Sequence, residues 1–233
     1  MLTEEDFQTI AQCDVFRDVD SRELPDALRF LGAYDRAYQK GEMIFLLGEP
    51  IRYAGIVLNG VAELSFLDES DNSVNMNHFA KGAIFGESLA CSGESGSPVQ
   101  MEALSECRIL FLRFENLLNA KRLDSGYQAR IASNLLRDFA RQNVFLNQKA
   151  RILSQKKLRD RIRVFLRGRS VEEDGSVRLG FNRTELARFL GVNRSALSRE
   201  LSAMRKDGIL SLDGKSLRLL DRDFLTHGQG NAT

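Results

Sequence analysis

The 27 residues from Tyr127 to Leu153 contain neither glycine nor proline. Nothing in that stretch breaks a helix, and as a single helix it extends about 40 Å at 1.5 Å per residue. A helix of that length usually outreaches a domain of this size, which points to a second copy as its partner. Along it Leu135, Phe139, Gln142, Leu146, Lys149 and Leu153 recur at alternating spacings of four and three. That is the stripe of a two-stranded coiled coil, with Gln142 and Lys149 as polar interruptions that fix register. A homodimer through these six positions is expected; the alternative is that the stripe packs on the chain's own sheet.

The texture of the chain differs on either side of this helix. Glu4 to Leu31 has helical spacing, with Pro25 in a first turn. From Tyr38 to about residue 115, short β-like runs are broken by Gly, Asn and Pro: Met43–Leu47, Ile56–Leu58, Val61–Phe66, Val74–Phe79 and Arg108–Leu112. Asn59-Gly60 between two of them predicts a tight hairpin with both turn residues at positive φ. Many short strands without long helices between them predict an antiparallel jelly roll. Downstream of the helix the chain is mostly helical again, closing on Ile209–Leu212 and Leu217–Leu220 around an Asp213-Gly214-Lys215 hairpin.

Charge divides at the same place. Residues 1–120 hold 9 Lys+Arg against 20 Asp+Glu, a net of −11, whereas residues 121–233 hold 24 against 12, a net of +12. The overall charge of +1 conceals two halves suited to different partners, the basic one facing a polyanion. The three cysteines, Cys13, Cys91 and Cys107, form no CxxC pair and are too few for a four-cysteine metal or iron–sulfur site. His78 and His227 have no metal-ligand spacing; with His78 the sole histidine of the first half, a cupin-type metalloenzyme is excluded and no metal is expected. There is no run of 18 apolar residues and no signal-peptide pattern at Met1–Asp6, so a cytoplasmic protein without a membrane partner is expected.

The basic half contains a compact helix–turn–helix pattern. Asn182-Arg183-Thr184-Glu185 reads as a capping box, the helix after it stops at Gly191, and Asn193 caps a second helix. On that second helix Leu197, Leu201 and Met204 share one face, while Ser195, Ser198, Arg199 and Ser202 share another. An exposed face of small hydroxyls and arginine, in place of paired Glu and Lys, suits close approach to base edges and phosphates of double-stranded DNA.

The segment Arg183–Leu201, followed by Lys206-Asp207-Gly208-Ile209-Leu210, resembles the recognition motif of the Crp/Fnr family of transcription regulators. Lys40-Gly41-Glu42, Gly48-Glu49, Gly60 and Phe85-Gly86-Glu87 resemble the turns of that family's effector domain. The resemblance implies an α+β chain: a cyclic-nucleotide-binding-like jelly roll at 1–120, a dimer helix at 121–153 and a winged helix-turn-helix at 154–233. It implies no enzymatic activity, a palindromic operator and RNA polymerase as a partner. By position it makes Arg194 and Arg199 the base- and phosphate-contacting arginines, Ser198 a base-edge contact and Arg183 a phosphate contact, with Asn193 and Ser195 beside them. The family often has glutamate where Ser195 stands, so an operator different from the familiar half-sites is expected.

The effector side departs further from the family. Members that bind cyclic AMP carry an arginine that pairs with the cyclic phosphate, but no Arg or Lys lies between Lys81 and Arg108 here. Each missing charge-assisted bond is worth about 1.5–3 kcal/mol, so cyclic AMP is not expected. Cys13 stands alone where the oxygen-sensing branch has a cysteine group, so an iron–sulfur cluster is not expected either. A small organic ligand, haem held by His78, or no ligand remain as alternatives. The expected pocket is marked by Gly86, Glu87, Ser88 and Ser97 together with Asn143 and Val144 of the long helix.

Overall fold

The computed structural model describes residues 2–70, 73–120, 123, 125–213 and 216–226. The chain divides into two compact units, Met1–Ala140 and Arg141–Thr233. The first opens with α1 (Glu4–Ala11), a 3₁₀ turn (Asp14–Phe16) and α2 (Leu24–Phe30). Then follow β1 (Tyr34–Tyr38), β2 (Met43–Phe45), β3 (Ala54–Asn59), β4 (Val61–Leu67), β5 (Ser73–Ala80) and β6 (Ile84–Phe85). After α3 (Glu87–Ser92) come β7 (Gln100–Ala103), β8 (Cys107–Leu112) and α4 (Glu115–Leu118).

These strands form two four-stranded antiparallel sheets, ordered β1-β8-β3-β6 and β2-β7-β4-β5. Side chains alternate across a strand, and β3 and β8 bury both faces. Ala54, Ile56, Leu58, Leu110 and Leu112 meet Ile10, Phe16, Leu24, Leu28 and Leu31 of the helical layer. Val57, Cys107, Ile109 and Phe111 point the other way, onto Ala62, Met101 and Ala103 of the second sheet. The first sheet is thus the middle of three layers, which is why its strands read as near-continuous apolar runs.

The Asn59-Gly60 hairpin does not form. Asn59 ends β3 in one sheet and β4 starts at Val61 in the other, so the dipeptide carries the chain between sheets rather than back along one. Only Gly60 of the two has positive φ, at 87°. A Cβ there would overlap the Glu106 carbonyl oxygen and crowd Cys107. The glycine therefore serves a close backbone crossing as well as a turn.

Helix α5 (Gly126–Leu153) is continuous over 28 residues, as its composition predicts. The coiled-coil stripe placed on it needs correction. Leu135 is only 5% exposed and joins Ile131 in the core under α1 and α2, and Phe139 packs against that core. Asn134 reinforces this docking by donating to the carbonyls of Val15 and Arg17 at 3.2 and 2.8 Å. Lys149 is half-buried with its ammonium over the Phe189 ring, and the Leu153 side chain reaches the Gly191 turn. A four-three spacing shows that a helix has an apolar face but not which body covers it. Leu135, Phe139, Lys149 and Leu153 meet other parts of the chain, while Gln142, Leu146 and Leu153 are exposed. The exposed face is rotated to Leu136, Ala140, Asn143 and Asn147, flanked by Val144 and Leu146.

The second unit adds α6 (Leu158–Arg167), β9 (Ser176–Val177), α7 (Arg183–Phe189), α8 (Arg194–Lys206), β10 (Leu210–Asp213), β11 (Ser216–Leu219) and α9 (Asp223–Thr226). Its strands form one antiparallel sheet in the order β10-β11-β9. β10 and β11 pair up to Asp213 opposite Ser216, which leaves the length of a two-residue connection; Gly214 and Lys215 of the expected hairpin lie outside the described residues, as does His227. Three helices, this sheet and α9 enclose a second core of Ile162, Phe165, Leu166, Leu186, Leu190, Leu197, Leu201, Met204 and Leu217.

Candidate nucleic-acid interface

Local hydrogen bonding fixes each end of the two-helix corner. The Asn182 side-chain oxygen accepts from the amides of Thr184 and Glu185 at 3.0 and 2.9 Å, while Glu185 accepts from the Asn182 amide at 2.8 Å. This reciprocal pair satisfies the free amides at the start of α7. At its end Gly191 takes φ +67°, so its amide reaches the Arg188 carbonyl and the Val192 amide reaches the Ala187 carbonyl. Together these form a Schellman motif. Arg161 donates from Nη1 to the Leu190 carbonyl at 3.0 Å and holds the corner from outside.

The next residue but one starts α8. Asn193 Oδ1 accepts from the Ala196 amide and from the Ser195 hydroxyl, both at 2.8 Å. Leu197, Leu201 and Met204 are buried beneath the helix, whereas Arg194, Ser195, Ser198, Arg199 and Ser202 are exposed on its other side. Arg159 donates to Glu200 at 2.7 Å and to Asp207 at 2.6 Å, tying the far half of α8 to α6. These two bonds, the one to Glu200 first, raise the Arg159 pKa. Arg159 and Arg161 escaped the sequence reading, since only the fold shows which carboxylates and carbonyls they reach.

Arg183 occupies the first position of α7. It is half-buried, its Nη1 has no hydrogen-bond partner, and burial lowers its pKa. With Arg194, Thr184 and Phe181 it lines a cleft of about 680 Å³. A half-buried guanidinium without a counter-ion at the start of a helix suits a phosphate oxygen. The structure thus brings Arg183, Asn193, Arg194, Ser195, Ser198 and Arg199 onto adjoining parts of one corner. It also engages the Asn193 oxygen and the Ser195 hydroxyl with each other, which leaves the arginines and Ser198 the more accessible groups.

The expected effector residues are divided between the two units along the chain. Gly86, at φ +75°, starts α3, with Glu87 buried and Ser88 exposed. Ser97 is buried, but its hydroxyl donates to the Val99 carbonyl at 2.6 Å and accepts from the Val99 amide at 3.2 Å. It closes its own turn. Asn143 and Val144 are exposed on the part of α5 that belongs to the second unit. His78 lies exposed on β5, its Nε2 2.8 Å from Glu63 Oε2 of β4. Among the described residues no cluster of His, Cys, Asp or Glu could hold a metal, and no helix is long and apolar enough to cross a membrane.

Comparison with known proteins agrees with both halves. A cyclic nucleotide-binding domain matches residues 35–122, and a Crp-like helix-turn-helix domain matches residues 160–227. A double-sheet domain of this kind followed by a winged helix-turn-helix defines a DNA-binding transcription regulator. The chain belongs to the Crp/Fnr family. It is 23% identical over 204 residues to Electron transport regulator A of Shewanella oneidensis, which covers 83% of this chain and 78% of the relative. It is 25% identical over 206 residues to the Transcriptional activator protein anr of Pseudomonas aeruginosa, covering 84% and 80%. The solved Catabolite Activator Protein of Thermus thermophilus shares the fold at a TM-score of 0.55 and 20% identity, covering 91% of this chain and 98% of that one.

Proposed function

We propose that this regulator works in the cytoplasm as a homodimer that places two α8 helices on a palindromic operator and acts with RNA polymerase. One observation carries the reading: α8 is capped at its start, buried along Leu197, Leu201 and Met204, and presents Arg194, Ser198 and Arg199 freely beside the partnerless Arg183 guanidinium. The dimer contact runs along the exposed four-three stripe of Leu136, Ala140, Asn143 and Asn147, with Leu136 70% and Leu146 61% exposed. Asn143 and Asn147, bonded to each other at 2.7 Å, act as the polar positions that set register.

A small organic effector bound in the first unit is the favoured mode of control, and cyclic AMP is not favoured. No cation lies between Lys81 and Arg108 to meet a cyclic phosphate, and the Ser97 hydroxyl is spent on its own turn. A titration with cyclic AMP should give no heat; micromolar binding would refute this part.

The main test selects operator fragments from genomic DNA and follows binding by fluorescence polarisation across salt. Each phosphate contact contributes about −0.9 to the slope of log K against log salt. Arg194→Ala with Arg199→Ala should cost about 100-fold or more in affinity and flatten that slope. Undiminished binding by the double variant would sink the site assignment. Leu136→Asp should turn the dimer into monomer in analytical ultracentrifugation, and a variant that stays dimeric would refute the stripe.

A further inference from the structure

Within the second unit, the end of α5, α6 and α7 leave between them a cavity of about 470 Å³. Four phenylalanines build its wall: Phe181 stacks on Phe189 at 5.1 Å, and Phe165 and Phe145 meet Phe189 at 5.7 and 5.6 Å. A wall that merely completed the core would close over itself, but Phe145 is 47% exposed and Phe181 and Phe189 are only half-buried. All the charged residues of the lining are cationic. Arg151, Arg167 and Arg169 border the cavity and no acidic residue does.

Arg169 is the informative one. Its guanidinium lies 4.7 Å from the Phe165 ring centre and 5.4 Å from that of Phe181, held over the aromatic wall by cation–π attraction. Among the described residues neither Arg169 nor Arg151 forms an ion pair. A guanidinium positioned in this way and lacking a carboxylate offers two parallel donors to an incoming one. The volume falls within the range of about 300–1,000 Å³ typical of small-molecule sites and is too small to admit duplex DNA.

We propose that this cavity is a ligand site for an organic acid with a flat apolar body, its ring against the phenylalanines and its carboxylate on Arg169 with Arg151 nearby. It is separate from any effector in the first unit and does not depend on the operator reading, because binding is measured without DNA.

The test uses the full chain and calorimetry with two probes of equal shape, 2-naphthoate and the neutral 2-naphthamide. Wild type should bind naphthoate with a Kd of about 1 mM or tighter, and the amide about tenfold more weakly. Arg169→Gln should remove that preference while leaving amide binding unchanged. Gly168 also lines the cavity, and a Cβ there meets only the Phe165 carbonyl oxygen at 3.5 Å, so a side chain is tolerated. Gly168→Phe should fill the space and abolish binding of both probes without moving the melting temperature. If Gly168→Phe does not fold, Arg169→Gln decides alone. No binding by wild type at 5–10 times that concentration (roughly 5–10 mM), equal affinity for acid and amide, or naphthoate binding undiminished by either substitution overturns the proposal. The last result would put the probe elsewhere on the protein.

Discussion

Replacing Gly191 by alanine and by asparagine separates backbone conformation from crowding at the turn between α7 and α8. Both residues place the same Cβ, 2.9 Å from Leu153 Cδ2 and 3.5 Å from Arg161 Nη1. The first contact is with the far end of a partly exposed side chain, which can swing aside for about a few tenths of a kcal/mol. What differs is the cost of φ +67°. Alanine in the left-handed region costs about 1–2 kcal/mol, whereas asparagine enters it more readily. Against this, either residue restricts the unfolded chain relative to glycine, recovering about 0.4–1 kcal/mol. The net expectation is that Gly191→Ala destabilises by about 1 kcal/mol and Gly191→Asn by less than half of that. Urea unfolding of the full chain, followed by far-ultraviolet circular dichroism, resolves a difference of that size, and the melting temperature should fall by about 2–4 °C for alanine. If the two variants are equally destabilised, crowding rather than φ governs the site. If alanine is neutral, the Schellman geometry is not what holds the corner.

Other consequences are equally direct. Arg159→Met removes two partly exposed ion pairs at once and should cost about 1 kcal/mol; a double-mutant cycle with Glu200→Gln should show coupling of about 0.5 kcal/mol, and zero coupling would dismiss the clamp. Asp6 is buried against Arg108, which also binds Asp35. Burial alone would raise its pKa, but bonds from Thr3 and Arg108 outweigh that and lower it. Its stabilisation is therefore present above the unfolded value of about 3.9 and is lost as pH falls through the lower folded value. Asp6→Asn should cost about 1–2 kcal/mol at pH 7 and lose that deficit on acidification; a deficit independent of pH would refute the assignment. Burial pushes the thiols of Cys13 and Cys91 up to about 11. At pH 8 only about one thiol in a thousand is then ionised, so iodoacetamide should label both slowly in the native chain and quickly in urea, and equal rates would contradict the burial.

The helix–turn–helix was legible from sequence almost residue by residue. Its capping box, its glycine C-terminus and the Asn193 cap are hydrogen bonds between groups at most five residues apart, so the residue types alone specify them. The same holds for the unbroken α5 and for the two faces of α8. Where a residue's partner is distant in sequence, the tertiary structure decided. Asn59-Gly60 has the composition of a hairpin, yet β3 pairs with β8 and β6 and β4 with β7 and β5, because the apolar faces of those strands are satisfied better across two sheets. Leu135 and Phe139 lie on a coiled-coil stripe, yet α1 and α2 reach them first, and the free face of α5 moves to Leu136 and Asn143. Ser97 looks available in a loop and is consumed by Val99. Periodicity and caps report what a segment forms; the competition among remote segments for the same surface reports what it faces, and that is settled only when the whole chain is packed.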